Sequence, residues 1–109
     1  MKSNRVVTLR DERVGTDRCS LWARLDAESN LVVYGQDLGP GTAMMSDDGE
    51  YEYFLTISSG DVPELLVLLG GSPDDDVLDF LQTRYVGKQS HELEKRLREG
   101  PIHVKFFSC

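Results

Sequence analysis

An α+β domain is predicted for this chain: an antiparallel four- to five-stranded sheet with helices packed on one face, in the order β-β-β-β-α-α-α-β. Two observations predict it. Apolar residues recur with a period of two through most of the first 58 residues, and with a helical period from Val62 onward. A length of 109 residues fits one domain, spanning 1–109, and the 39% hydrophobic and 28% charged composition is that of a packed chain. Because the helices follow the strands in sequence, they are expected to gather on one side of the sheet.

The elements follow in order. Val7 and Leu9 share one parity in the segment 5–10, the first strand. Residues 11–17 are polar around Gly15 and read as a connection. From Arg18 to Asp26, Leu21, Ala23 and Leu25 point one way, and Arg18, Ser20, Trp22 and Arg24 the other. In the third strand Leu31 and Val33 oppose Val32 and Tyr34, and in the fourth Tyr51, Tyr53, Leu55 and Ile57 oppose Glu52, Phe54 and Thr56. Such alternation with short connections favours an antiparallel meander with one buried face. The stretch 36–49, rich in Gly and Asp, is the longest without a periodic pattern.

Val62, Leu65, Leu66 and Leu69 then fall at helical spacing, with Ser59 or Asp61 as cap, Pro63 in the first turn and Gly70 at the stop. Ser72 is expected to cap a second helix, with Pro73 first and Asp74, Asp75 and Asp76 against the helix dipole. Ser90 is expected to cap a third, which keeps Leu93 and Leu97 inward and ends at Gly100. Residues 101–109 alternate again as a last strand.

Charge is distributed in blocks. The net charge is −7, yet residues 1–24 hold six basic and three acidic residues, and residues 84–109 hold the same numbers. Between them, residues 25–83 hold thirteen carboxylates and no Lys or Arg. An acidic surface keeps a small protein dissolved; it also steers a basic partner. The same acidity argues against nucleic acid as partner, although aromatics on a sheet are the composition of RNA-stacking platforms.

Most chemical motifs are absent. There is no nucleophile elbow, no phosphate loop and no dinucleotide fingerprint. Aligning Gly49 with the glycine of an EF-hand loop puts Met44 and Leu55 at ligand positions, so that motif fails. Two cysteines, Cys19 and Cys109, make neither a disulfide framework nor a four-ligand zinc site, and Cys19 reads as a small core residue. No metal and no cofactor is expected. No apolar run approaches a membrane span of roughly 20 residues, and no apolar signal core follows Met1, so a cytoplasmic protein without membrane contact is expected.

The segment Leu31-Val32-Val33-Tyr34-Gly35-Gln36-Asp37-Leu38-Gly39-Pro40 resembles one found in small uncharacterised bacterial proteins, a likeness that extends through Tyr51-Glu52-Tyr53, 65–71 and Phe106-Phe107-Ser108. That resemblance implies no activity. In size, charge and lack of catalytic motifs the chain is also similar to immunity proteins, small acidic domains that neutralise a toxin.

These readings converge on a non-enzymatic protein-binding module, best read as an immunity-type inhibitor of a basic toxin or nuclease. The expected partner-binding residues are Trp22, Tyr34 and Phe54 as anchors on the non-core parity, which also carries Arg24 and Glu52, with Asp37, Asp47, Asp48, Glu52, Asp74, Asp75 and Asp76 of the acidic segment 37–79 as steering groups. A small enzyme or ligand-binding domain using the 36–49 loop, with Asp37 and His103 as its polar groups, is the alternative. A homo-oligomer formed through the aromatic parity is the third reading.

Overall fold

A computed structural model describes residues 5–39 and 50–108, with the side chain of Glu50 left aside. Five strands, β1 (Val6–Val14), β2 (Asp17–Leu25), β3 (Leu31–Leu38), β4 (Glu50–Ile57) and β5 (Lys105–Ser108), form one sheet. Its order is β1-β2-β3-β4-β5, and every neighbouring pair is antiparallel. Three helices, α1 (Val62–Leu68), α2 (Val77–Arg84) and α3 (Gln89–Glu99), lie between β4 and β5 in the chain. The predicted α+β class, the meander and the element order all hold.

Helices cover one sheet face only. Val7, Leu9, Leu21, Ala23, Leu31, Val33, Tyr53, Leu55 and Ile57 come from one parity of the strands, and they pack in a single core with Leu65, Leu66, Leu78, Leu81, Leu93 and Leu97 of the helices. Each such buried aliphatic side chain contributes about 1.5–3 kcal/mol through removal from water, which is why the period of the pattern dictates the layer.

Several boundaries differ from the sequence reading. Residues 11–17 are not a connection: β1 and β2 run on to a tight turn at Gly15 and Thr16, where Gly15 takes a φ of 63°. The strand ends there carry mostly polar side chains, Asp11, Glu12, Arg13 and Asp17, with Val14 exposed, so no apolar alternation marks them. A second difference lies inside β1, where the register with β2 shifts between Thr8 and Arg10. This bulge puts Leu9 and Arg10, neighbours in sequence, both among the buried residues.

Helix starts differ too. Ser72 does not cap α2; its hydroxyl closes a local turn, and its N–H donates to Asp75. The cap is Asp76, whose carboxylate accepts from the N–H of Asp79 at 3.0 Å. Ser90 lies within the first turn of α3, fully buried, and Lys88 is the cap. The last strand is shorter than the alternation suggests, since residues 101–104 approach the sheet without pairing. Among the described residues no helix is long and apolar enough to cross a membrane.

Candidate functional site

On the face that the helices leave uncovered, one register row carries an aromatic ring on four successive strands. Trp22 pairs with Tyr34, Tyr34 with Phe54, and Phe54 with Phe107, while Thr8 completes the row on β1. The ring centroids step at 5.3, 5.9 and 6.1 Å, the first two pairs stacked and the last tilted. Directly cross-strand partners make such contacts because their Cβ atoms lie close together. None of these rings belongs to the core under the helices. Phe107 on the edge strand is 60% exposed.

Polar groups flank the row. Val6, Arg24, Val32, Thr56 and Lys105 form the next register row, and the Arg24 guanidinium lies 5.9 Å from the Tyr34 ring centre. Ser20, Gln36 and Glu52 form the row on the other side, and beyond it Arg18 pairs with Asp11 at 3.1 Å. Among the described side chains of this face, cations at Arg13, Arg18, Arg24 and Lys105 outnumber the carboxylates at Asp11 and Glu52.

The eleven expected binding residues therefore separate. Trp22, Arg24, Tyr34, Glu52 and Phe54 do share the open face. Asp37 sits on the opposite, helix-covered side, in a cleft with Arg10, Cys19, Tyr53 and Glu94. Asp74, Asp75 and Asp76 precede α2, where Asp76 ion-pairs with Arg5 at 2.6 Å. Asp47 and Asp48 fall outside the described residues, as does Cys109. Asp37 and His103 border different pockets, that of His103 being lined also by Leu55, Leu97, Ile102 and Phe106.

The cleft around Asp37 is a polar site that sequence reasoning missed. Its floor is the register row Glu12, Cys19, Asp37 and Tyr51, which lies just beyond the end of the apolar core. From the helix side, His91, Glu94 and Arg98 of α3 face it. Arg10, only 4% exposed, donates from Nε to Ser90 Oγ at 2.8 Å and from Nη1 to Glu94 Oε1 at 2.7 Å. Tyr53 donates its hydroxyl to the same Glu94 oxygen at 2.9 Å, and Arg98 reaches Glu94 Oε2 at 3.5 Å. Three donors thus fix one carboxylate.

Burial pushes the Cys19 thiol up from its ordinary value, reinforced by the charge of Asp37, on which the thiol also makes a hydrogen bond. Burial likewise pushes the Asp37 carboxyl up, opposed by that hydrogen bond and aided by Glu94. A thiol shifted upward is not an activated nucleophile. Cys19 is consequently not the inert core residue its parity suggested, but a neutral donor on a polar floor. A legible signal for this site exists in Gly35: a glycine inside a strand marks a close approach. Here a Cβ would lie 2.4 Å from Cζ of Tyr53, whose ring leans over Gly35 toward Glu94.

Among the described residues, no three His, Cys, Asp or Glu side chains gather closely enough to hold a metal ion. Comparison with protein-family models, with curated proteins and with solved structures finds no match to this chain.

Proposed function

We propose that this chain is a protein-binding module that presents its open sheet face to a partner, acting as an immunity-type inhibitor of a basic toxin or nuclease. The observation that carries the reading is the aromatic row Trp22–Tyr34–Phe54–Phe107, its first three rings half-buried and Phe107 exposed, which none of the described helices covers. Aromatic side chains beside Arg are the composition of interface hot spots, where rigid rings supply contact area at little entropic cost. A net charge of −7 supports a basic partner over a second copy, since two copies repel at long range. Arg24 and Lys105 border the rings, so the partner's contact patch is expected to place carboxylate or carbonyl oxygens opposite them.

Affinity capture from the native cell at low and high salt tests this, with Trp22→Ala and Phe54→Ala as controls. Wild-type protein is expected to retain a basic protein, and each variant to lose about thirtyfold in affinity while staying folded, because the row lies outside the core. Retention of no protein, or equal retention by the variants, overturns the reading. A doubled mass in solution that collapses on Trp22→Ala assigns the face to a homodimer instead. If a captured toxin's activity is left unchanged by the purified chain, binding stands and inhibition falls.

A further inference from the structure

We propose that the cleft between the ends of β1–β4 and α3 binds a free α-amino acid as its zwitterion. It measures about 460 Å³, at the small end of ligand pockets, and lies on the opposite side of the sheet from the aromatic row.

Charge balance carries the first step. Among the residues that line it, Arg10 and Arg98 supply two cations and Asp37 and Glu94 two carboxylates, and His91 is turned to Glu12, outside the lining, at 3.1 Å. A ligand with a net charge would leave that balance uncompensated in a partly desolvated site. One that is neutral but bipolar matches it.

Unmet hydrogen bonding carries the second. Glu94 already accepts from Arg10 and Tyr53 on one oxygen and faces Arg98 with the other, so its charge is met within the protein. Asp37 differs: its partner in the cleft is a thiol, a weak donor, against a carboxylate that burial already disfavours. An ammonium group is the donor such a carboxylate lacks. The complementary group is Arg98, which is 43% exposed, whereas Arg10 is 4% exposed and its Nη2 is sealed from solvent. Arg98, braced across the rings of Tyr53 and Phe106 at 5.4 and 5.1 Å, lines the same cleft. Amine toward Asp37 and carboxylate toward Arg98 then pair both ends at once, with the buried charge of Arg10 behind them and the stacked Tyr51 and Tyr53 rings bordering the side chain.

Titration of the intact protein with each of the twenty amino acids, read by calorimetry, tests the proposal. At least one is expected to bind with a Kd of about 1 mM or tighter. Its N-acetyl and its carboxamide derivatives should each bind about tenfold more weakly or worse, because each removes one charge of the pair. Asp37→Asn and Arg98→Gln should each weaken the parent amino acid by about tenfold as well. Should Asp37→Asn not fold, the two blocked derivatives still decide the matter on wild-type protein. No heat from any amino acid at about 10 mM overturns the proposal. So does binding that survives N-acetylation or Asp37→Asn. Trp22→Ala should leave amino-acid binding intact, so failure here is separable from failure of the open-face reading.

Discussion

Two aspartates show how one residue type serves opposite ends. Asp76 caps α2, and its carboxyl is held below the usual range, chiefly by the N–H of Asp79 and then by Arg5. A depressed folded-state value means that its stabilisation is complete above the unfolded value of about 3.9 and is lost as pH falls through the folded one. Asp76→Ala is therefore expected to lower stability by about 1 kcal/mol near neutral pH, and by less in acid, as urea unfolding at about pH 7 and about pH 3 would read. Most of that loss belongs to the cap, since an exposed Arg–Asp pair contributes little. Asp37 runs the other way: its folded-state value is raised, so the fold is relatively favoured below the unfolded value and loses that advantage as pH rises through the folded one. Asp37→Asn is expected to leave neutral-pH stability unchanged or increase it in the same urea experiment. A carboxylate whose ionisation the fold disfavours, lining a cleft as Asp37 does, is a functional-site candidate.

At the scale of elements, the strands and helices were legible because burial obeys period. Leu21, Ala23 and Leu25, or Leu65, Leu66 and Leu69, announce their layer in the chain itself. The aromatic row was half legible: parity put Trp22, Tyr34 and Phe54 on one face, but only the register aligns them, and only the docking of β5 beside β4 adds Phe107. The polar cleft was not legible for three physical reasons. A bulge at Leu9 turns Arg10 inward against the alternation. Ser90 resembles a helix cap, yet its hydroxyl accepts from Arg10 and donates to the Gly87 carbonyl. Finally, the partners of Arg10 are some eighty residues distant in the chain, and no local pattern encodes that pairing. Gly35 is the point where this arrangement can be tested as a unit. Gly35→Ala forces Tyr53 off its place, because the added carbon would meet the ring at 2.4 Å. The expected cost is about 1–3 kcal/mol in thermal or urea unfolding. Gly60→Ala, whose Cβ meets no atom within 4 Å, should cost far less.

For the whole molecule, the consequence of a −7 chain is a division of labour between field and contact. The thirteen carboxylates of residues 25–83 are spread over the β2–β3 turn, β3, β4, the helix side and residues outside the described part, whereas the described open face itself carries more cations than carboxylates. Steering and anchoring thus reside in different places. Under the proposed function, Asp74 and Asp75, exposed ahead of α2, act at long range and set the encounter rate with a basic partner. The rings act at contact and set the lifetime. Surface plasmon resonance on the captured partner separates the two. Asp74→Asn with Asp75→Asn is expected to slow association severalfold at low salt, to lose that effect near 0.5 M salt where screening acts within a few Å, and to leave dissociation unchanged. Trp22→Ala should do the reverse, accelerating dissociation by about thirtyfold, on the order of 2 kcal/mol, at every salt concentration with little change in association. If the aspartate pair instead changes dissociation, those residues touch the partner, and the interface extends around the sheet to the helix side.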